Sequence, residues 1–433
     1  MNYCSILPEL TEIWPESYVV GGFLRERWFG KISSDLDLVV PSGAIQGVEK
    51  LAKKLRRPWF VLDQDRDIAR LVLASGDTLD IARFAGNNLN SDLWQRDLSF
   101  NAMACPLIPE VFDLQISLSE LPLIDPGLGL ADLQKARIKG LSADNFVADP
   151  LRLLRAFRFA AQYGFELESE TQAWIRLHGS LLKLSASERI LQELDKFLIG
   201  GHSEFALNQM IETEFIRYLF IELNNYSDEQ WKKRVVHWKT IRNVLSDIQT
   251  HFEPSQPLRD YFETVLSAER TRQQVLLLSS LFWDEPLERW ENFSNRIRLG
   301  TKDSEYGKKL VLNWTGFCTQ LSYLENPLKR FRFYQEHGVL LPALVFRAFV
   351  AKRLSQEQAQ FLLCEYFQEN HPIAHPVPFI NGNDVCKELA LKPGPQIGRL
   401  LSLALEAQVE KKIQSKQDAL DFIASQLLAN DSQ

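Results

Sequence analysis

Two aspartates separated by one residue are the side chains of this chain best suited to metal chemistry. Asp35 and Asp37 belong to the segment DLDLVV (35–40), which predicts a β-strand. Since alternate side chains of a strand point to the same face, the two carboxylates project together while Leu36 and Leu38 face a core. Adjacent carboxylates repel each other unless a cation lies between them, and an all-oxygen ligand set suits Mg²⁺. The pattern therefore predicts a divalent-metal site.

A glycine pair precedes these aspartates. Gly21 and Gly22 follow the predicted strand YVV (18–20) and lead into a short predicted helix that carries Arg25. Glycine lets backbone amides approach a bulky group, and an arginine near a helix start suits a phosphate. A glycine turn alone is weak evidence for a functional site, and an aspartate pair alone usually lies on a solvated surface. Together, in a strand–turn–helix–strand pattern, they indicate a nucleoside triphosphate and its metal.

The elements that must position these residues alternate between strands and helices up to about residue 140. Residues 41–55 predict a helix, and the segments WFVLD, DIARLVLA and TLDIARF (59–63, 67–74 and 78–84) predict strands. Asp80, in the last of these, is predicted to lie on a strand beside that of Asp35 and Asp37. The alternative for Asp80 is a polar residue on an exposed strand face. Residues 84–95 are predicted to form a short polar connection.

Length and composition set wide bounds. The 433 residues, 45% hydrophobic and 24% charged, suit two to four domains with ample core. The net charge of −7 decides little about nucleic acid, because binding depends on local clusters of Lys and Arg. No signal peptide and no membrane span are expected. The five cysteines are scattered and lack CxxC spacing, which argues against a zinc site or disulfide framework and makes the cytoplasm the default location.

The arrangement at 18–40 resembles the nucleotidyltransferase core of the polymerase-β superfamily, in particular the class II tRNA nucleotidyltransferases and bacterial poly(A) polymerases. Residues 96–104 (RDLSFNAMA) resemble the family motif RRDFTINA, with Gln95 in place of its first arginine. This likeness implies that Arg96 and Asp97 serve the phosphates and ribose of the nucleotide. A third carboxylate is common in the superfamily at the position of Asp80, which makes it a candidate third metal ligand.

The segment IDPGLGLADL (124–133) resembles the linker that joins head and neck in these enzymes, with Leu128 between its glycines. A glycine-rich segment there is expected to act as a flexible joint, and a plain turn before a helix is the alternative. Residues 185–200 (SASERILQELDKFLIG) resemble the family's next helix, SxERIxxEL, and predict an amphipathic neck helix.

Between these segments, Asp149 and Pro150 predict the start of a helix, with Asp as N-cap and Pro at the first helical position. Arginines recur on it at every third residue, with no acid between them, and form a sloping basic stripe: Arg152, Arg155 and Arg158. A solvated helix face is the ordinary explanation of charge on a helix. However, a fork-shaped guanidinium can also bind phosphate or donate to a nucleobase.

This helix resembles the nucleobase-recognition helix of class II enzymes, whose motif is EDxxR. In that family the aspartate and arginine mimic Watson–Crick pairing and select CTP or ATP without a template. The resemblance implies this role for Asp149 and Arg152, with Arg155 and Arg158 supporting ribose, phosphate or the pairing residues. Ala148 stands where the motif has glutamate.

The segment 376–410 resembles the C-terminal element of tRNA nucleotidyltransferases, NGxDLxxLGLxPGPxIGxxLxxL. Its PGP sequence (393–395) leads into a predicted helix whose first amides, with Lys392 and Arg399, are expected to meet a phosphate of the RNA backbone. Such contacts position an RNA without recognising its bases. An ordinary helix entry is the alternative.

The predicted fold is therefore α+β: a polymerase-β-like head with a mixed sheet, followed by all-helical neck, body and tail. The expected boundaries are 1–140 for the nucleotidyltransferase head, 141–200 for the neck, 201–370 for the body and 371–433 for the tail. The head is expected to carry catalysis, the neck nucleobase recognition and the tail tRNA docking.

The resemblance implies Mg²⁺-dependent, template-independent transfer of nucleotides to the 3′ end of tRNA. Asp35 and Asp37 would hold two Mg²⁺ ions that activate the RNA hydroxyl and neutralise the departing pyrophosphate. Gly22, Arg25 and Arg96 would hold the triphosphate. The partners implied are tRNA, CTP and, for complete CCA addition, ATP.

Addition of CC alone is the preferred activity. Enzymes that complete CCA carry a flexible basic loop before the RRD motif, whereas residues 85–95 contain no Lys or Arg. Ala148, and Glu26 where the family's first motif has aspartate, also suggest a specialised branch. A separate A-adding enzyme would then act on the same tRNA. The alternatives are complete CCA addition, A addition, a poly(A) polymerase, and a tRNA-binding relative without catalysis.

Overall fold

The computed structural model describes residues 3–253, 255–267 and 270–430. The chain divides into two compact units, residues 1–228 and 229–433. The expected ranges of head and neck thus lie within the first unit, and the four expected domain ranges remain predictions. In the described part of the chain, no helix has both the length and the apolar character to span a membrane.

A six-stranded mixed sheet forms the centre of the head. Its spatial order is β3-β4-β5-β2-β1-β6, and β2 and β5 are its parallel pair. The register sets Asp37 beside Asp80, as the sequence predicts. The strands are β1 (Tyr18–Val20), β2 (Asp35–Val40), β3 (Trp59–Asp63), β4 (Ile68–Val72), β5 (Thr78–Arg83) and β6 (Ala104–Pro106). The predicted mixed sheet with helices is confirmed.

Alternation along β2 determines which side chains reach the site. Leu36 and Leu38 are fully buried, whereas Asp35 is exposed and Asp37 half-buried on the other face. The helices of the first unit are α1 (Leu7–Ile13), α2 (Gly22–Trp28), α3 (Ala44–Leu55), α4 (Leu89–Trp94), α5 (Gly129–Gln134), α6 (Ala143–Ala148), α7 (Leu151–Tyr163), α8 (Ser169–His178), α9 (Ser187–Leu198), α10 (Ser203–Glu212) and α11 (Ile216–Leu219).

The segment 84–95 is helical in part, so its prediction as a polar connection was wrong. Asn88 accepts from the Ser91 amide at 2.9 Å, and the Ser91 hydroxyl accepts from the Asn88 amide, which forms a capping box at the start of α4. Leu89 and Leu93, four residues apart, are both buried against the sheet. The polar residues that suggested a loop are therefore the cap of a short helix.

The glycine-rich segment 124–133 is closely packed where the sequence suggested a flexible joint. A Cβ atom on Gly129 would lie 2.3 Å from the backbone oxygen of Ser99, so glycine allows close approach here. Asp125 accepts from the Gly129 amide at 2.7 Å. The fully buried Asp132 binds Arg137 and accepts from the Ser99 hydroxyl at 2.6 Å.

The neck helices follow the sequence with two differences. Helix α7 begins at Leu151, one residue later than predicted, because Pro150 takes the N-cap position and Asp149 accepts from the Leu151 amide at 3.3 Å. A short strand, β8 (Glu166–Leu167), interrupts the predicted all-helical neck, and it pairs in parallel with β7 (Arg137–Ile138) at the end of the predicted head. The apolar face of α7 is buried as expected, including Leu153 and Phe157.

The second unit is mostly helical, as predicted. Apart from an antiparallel pair of short strands, β9 (Val265–Ser267) and β10 (Arg270–Thr271), the described elements are helices, and the tail has its own apolar core around Val385 and Ile423. The helices are α12 (Asp228–Ser246), α13 (Ile248–His251), α14 (Ser255–Glu263), α15 (Arg272–Ser280), α16 (Leu287–Arg296), α17 (Thr301–Leu312), α18 (Trp314–Gln320), α19 (Pro327–His337), α20 (Leu341–Val350), α21 (Gln356–Phe367), α22 (Gly382–Leu389), α23 (Pro395–Val409) and α24 (Lys416–Asn430).

Candidate active site

A polar cavity of about 380 Å³ opens between β2, α2, α7 and α9. Ten of the residues predicted from sequence line it, although they are spread over more than a hundred positions of the chain. They are Gly21, Gly22, Arg25, Asp37, Arg96, Asp97, Asp149, Arg152, Arg155 and Arg158. Three lining residues were not predicted as site residues: Asn101, Phe159 and Arg189. The fold thus joins the two predicted halves of the site.

The glycine turn places backbone where a side chain would block the cavity. Gly21 has a φ of +66°, a conformation that favours glycine. A Cβ atom there would lie 3.1 Å from a terminal nitrogen of Arg96 and 3.6 Å from an oxygen of Asp37. The turn therefore keeps the space between these two side chains open.

The carboxyl group of Asp37 on β2 is harder to ionise than that of an ordinary aspartate. Burial, together with the neighbouring carboxylates of Asp80 and Asp35, raises the pKa of Asp37 to about 6. Asp35 accepts from the Thr78 hydroxyl at 2.5 Å. A carboxylate that ionises reluctantly beside other carboxylates suits a bound cation, and Mg²⁺ commonly takes one or two protein carboxylates and completes its shell with phosphate and water oxygens. Asp35 and Asp37 fit that role, which remains a prediction.

Asp80 is already paired. Both its oxygens accept from Arg70, from Nε and Nη2, at 2.7 Å each. Asp80 does not line the cavity, and within the described residues no group of three or more His, Cys, Asp or Glu side chains is suitably placed for a metal. Asp37 lines the cavity, whereas Asp35, like Asp80, is not among its lining residues. The pairing with Arg70 makes Asp80 the poorest fit to a metal of the three, and the metal roles of all three remain predictions.

Two arginines of the head present guanidinium groups to the cavity. Arg25 donates to Asn101, donates from Nε to the Tyr163 hydroxyl at 2.9 Å, and lies 4.6 Å from the ring centroid of Phe159. Arg96 donates to Asp92, with distances of 3.0 and 3.1 Å, at the end of α4. Their remaining donor positions suit phosphate oxygens.

Asp97 is the buried counter-ion of the basic stripe. Burial alone would raise its pKa, but the Arg155 guanidinium at 2.7 Å and the Asn101 amide at 2.9 Å hold the pKa well below its usual range. The charge on Asp97 in turn raises the pKa of Arg155. The pair is therefore ionised throughout the neutral range, and it holds Arg155 in one position.

Glu193 of α9 forms ion pairs with two arginines of the stripe. Its carboxylate lies 3.3 Å from Nη1 of Arg155 and 2.9 Å from Nε of Arg158. Burial lowers the pKa of Arg158 to about 10, and its guanidinium stacks 3.7 Å from the ring centroid of Phe159. Arg155 and Arg158 thus have fixed positions beside the cavity.

Asp149 and Arg152, for which nucleobase recognition is predicted, both line the cavity. Asp149 is held by Arg189 of α9, at 2.8 and 3.3 Å, and Arg152 donates to the backbone oxygen of Asn145 at 3.2 Å. Burial lowers the pKa of Arg152. Asp149 thus faces the cavity with an oriented carboxylate, although Ala148 supplies no acid beside it.

Sequence reasoning missed the contribution of α9. Its segment was interpreted as an amphipathic neck helix, yet Arg189 and Glu193 are four residues apart and lie on one face. Glu193 binds arginines of α7, and Arg189 binds Asp149, two residues before that helix. The four-residue spacing was the available signal. Asn101 lay within the recognised RDLSFNAMA motif but was not selected as a site residue.

Lys392 and Arg399 belong to the second unit. Both are exposed, Lys392 before α23 and Arg399 within its second turn. Their exposure suits a phosphate contact, and RNA docking by these residues remains a prediction.

Comparison with known proteins decides the family. Residues 17–139 match the poly(A) polymerase head domain, residues 164–227 an RNA- and SrmB-binding site of polymerase A, and residues 314–423 the second domain of tRNA nucleotidyltransferases. A CC-adding tRNA nucleotidyltransferase of Synechocystis sp. is 31% identical over 420 residues, 96% of this chain and 94% of that protein. This chain belongs to the tRNA nucleotidyltransferase and poly(A) polymerase family.

Other members of this nucleotidyltransferase family are also similar to this chain. A CC-adding enzyme of Geobacter sulfurreducens is 37% identical over 188 residues, 43% of this chain and 41% of that protein. A CCA-adding enzyme of Lactiplantibacillus plantarum is 28% identical and covers 94% of this chain and 91% of its own length. The structure of the Thermotoga maritima CCA-adding enzyme with tRNA has the same fold, with a TM-score of 0.73 and 22% identity over 98% of this chain and 94% of that one. The predicted family and fold are confirmed.

Proposed function

We propose that this nucleotidyltransferase adds two cytidines, and no adenosine, to the 3′ end of tRNA. The observation that carries this choice is the segment 85–95, which contains no Lys or Arg and includes the capped helix α4. Enzymes of the family it resembles that complete CCA carry a flexible basic loop at the position of this segment. The similarity to CC-adding relatives supports the same choice.

The reaction is an in-line displacement. The 3′ hydroxyl oxygen of the tRNA bonds to the α-phosphorus of CTP, and the bond from that phosphorus to pyrophosphate breaks. Asp35 and Asp37 hold Mg²⁺, which when bound supplies a Lewis acid for the phosphate oxygens. Arg25 and Arg96 bind the triphosphate, and the turn at Gly21 leaves room for it.

Selection of the base rests on Asp149 and Arg152. Cytosine presents an amino donor, which a carboxylate accepts, beside ring acceptors that a guanidinium can satisfy. Uracil presents a carbonyl oxygen in place of that amino group, so Asp149 would face an acceptor with no proton between them. Arg189 holds the carboxylate in this orientation, and Arg155 and Arg158 support the ribose and phosphates.

The remaining parts of the proposal concern tRNA and location. Lys392 and Arg399 contact the tRNA backbone, and a separate A-adding enzyme completes the CC end. The reaction takes place in the cytoplasm, in keeping with the five cysteines, each of which is a free thiol in the structure.

The test uses purified protein, Mg²⁺ and tRNA that lacks its CCA end, with CTP alone, ATP alone or both. We expect two added cytidines in the presence of CTP and nothing further when ATP is added. Addition of adenosine to a tRNA that ends in CC would show complete CCA addition, and long adenosine tails would show a poly(A) polymerase. The Asp37→Ala variant is expected to bind tRNA and transfer nothing. Preserved cellular function of that variant would favour a tRNA-binding protein without catalysis.

A further inference from the structure

A closed cluster of three polar side chains joins α2 to the end of α7. The Tyr163 hydroxyl donates to Oε1 of Glu26 at 2.6 Å and accepts from Nε of Arg25 at 2.9 Å. The same Oε1 atom accepts from Nη2 of Arg25 at 3.2 Å. Gln162 adds one further donor to the hydroxyl, at 3.0 Å. Each of the three members thus contacts the other two.

The aromatic rings around the cluster fix the position of its hydroxyl. Tyr163 stacks on Phe29, with ring centroids 4.5 Å apart and planes within 10°. It also stacks on Phe159, with centroids 6.0 Å apart and planes within 7°, and contacts Phe165 at a tilt, with centroids 5.6 Å apart. Since the ring cannot shift without losing these contacts, the Tyr163 hydroxyl is a fixed acceptor for Arg25.

Arg25 is the member that faces the cavity. Its side chain is 11% exposed, and that of Glu26 is 20% exposed. Arg25 also lines the cavity, whereas Glu26 and Tyr163 lie behind it. Burial raises the pKa of Tyr163 to about 12, so the hydroxyl keeps its proton at neutral pH and can donate to Glu26.

We propose that Tyr163 and Glu26 are positioning residues for Arg25 and thereby set the affinity of the enzyme for its triphosphate. The inference rests on the proposed role of Arg25 at the triphosphate. Without the hydroxyl, Nε of Arg25 loses its acceptor and the Glu26 carboxylate is free to draw the guanidinium out of the cavity. A guanidinium held in advance loses less freedom when the phosphate binds.

The length of Glu26 makes the proposal specific to this chain. An aspartate is one methylene shorter, so at position 26 it cannot keep a 2.6 Å contact with a hydroxyl fixed by two stacked rings. The family motif has aspartate at this position. We therefore expect Glu26→Asp, a return to the residue of the family motif, to weaken binding of the nucleotide in this chain.

The test is a double-mutant cycle with Tyr163→Phe and Glu26→Asp. Each change is expected to raise KM for CTP about 10- to 150-fold with little change in kcat, because a hydrogen bond to a charged group is lost. The double variant should be no worse than the worse single variant, since both remove one interaction. Glu26→Gln keeps the reach and an acceptor oxygen, so its KM should lie between those of the wild type and Glu26→Asp.

A matched control exists in the second unit. There the Tyr334 hydroxyl donates to Glu365 at 2.8 Å, and Glu365 also binds Arg330 at 2.8 Å. Tyr334→Phe removes the same kind of hydrogen bond and should leave KM for CTP unchanged. The dissociation constant for CTP without tRNA, measured by calorimetry, should change in parallel with KM.

The outcomes separate this inference from the proposed function. A wild-type protein that transfers no cytidine would contradict the proposed function. Suppose that the wild type is active and that Arg25→Lys raises KM for CTP. If Tyr163→Phe and Glu26→Asp then leave KM unchanged, the positioning role of Tyr163 and Glu26 is wrong, and the proposed function stands. Additive losses in the double variant would also overturn the positioning role. Should Tyr163→Phe fail to fold, the comparison of Glu26→Asp with Glu26→Gln still decides the question.

Discussion

Glu193→Gln is the substitution that most directly tests how the arginines beside the cavity are held. One buried carboxylate, 5% exposed, forms ion pairs with both Arg155 and Arg158. Glutamine has nearly the same shape and removes only the charge. It keeps one oxygen for one guanidinium and presents an amide group, itself a donor, to the other.

The size of the effect follows from these contacts. Removal of one partner from a buried ion pair costs roughly 3–5 kcal/mol. Because glutamine still accepts one hydrogen bond and Arg155 retains Asp97 at 2.7 Å, we expect a loss somewhat below this range. A loss of about 2–3 kcal/mol corresponds to a roughly 30- to 150-fold change in a local opening equilibrium.

The assay is backbone hydrogen exchange of the peptides that cover α7 and α9. Under conditions in which reclosing is faster than exchange, their protection should fall by that factor in Glu193→Gln. Glu49→Gln is the matched control, because Glu49 pairs with Lys53 at an exposed site where an ion pair contributes about 0–1 kcal/mol. Unchanged protection in α7 and α9, or an equal loss in the helices of the second unit, would refute the reasoning.

Further predictions concern the metal, the packed glycine and the nucleobase. In the folded, metal-free protein the pKa of Asp37 is about 6, whereas in the unfolded chain it is near 3.9. Between these pH values the folded state binds the extra proton, so the free energy of unfolding should fall as pH rises. The rise in Tm on addition of Mg²⁺ should therefore be larger at pH 7 than at pH 5, and absent in Asp37→Asn. Gly129→Ala, which sets a Cβ against the Ser99 backbone, should cost about 1–3 kcal/mol in thermal unfolding, whereas Gly316→Ala, which has open space around it and lies in a helix, should cost nothing through packing. Arg189→Ala, which frees Asp149, should reduce the preference for CTP over UTP about tenfold with little change in Tm, and an unchanged preference would contradict its role.

Local periodicity was enough to predict the parts of the site. Alternation along DLDLVV places Asp35 and Asp37 on one face, and the three-residue spacing of the arginines on α7 gives their stripe. Both patterns depend only on the repeat of a strand or a helix. The resemblance to a known family then indicated that the two parts belong to one site.

The ion pairs between the parts could not be predicted in this way. Asp97 and Arg155 are 58 residues apart, and Arg155 and Glu193 are 38 apart, so no local repeat relates them. The pairing of Asp80 with Arg70 depends on the register of β4 against β5, which periodicity leaves open. Helix α4 was missed because asparagine and serine are common in loops as well as in helix caps.

The cations that line the cavity are all arginines: Arg25, Arg96, Arg152, Arg155, Arg158 and Arg189. Guanidinium groups stay protonated at any pH a cell reaches, and Arg158, with its pKa near 10, is no exception. Among the described lining residues there is no lysine, so acetylation of amines elsewhere on the chain leaves the charge of the cavity intact. Dicarbonyl reagents, which condense with guanidinium groups, would remove that charge, and a bound nucleotide would shield it.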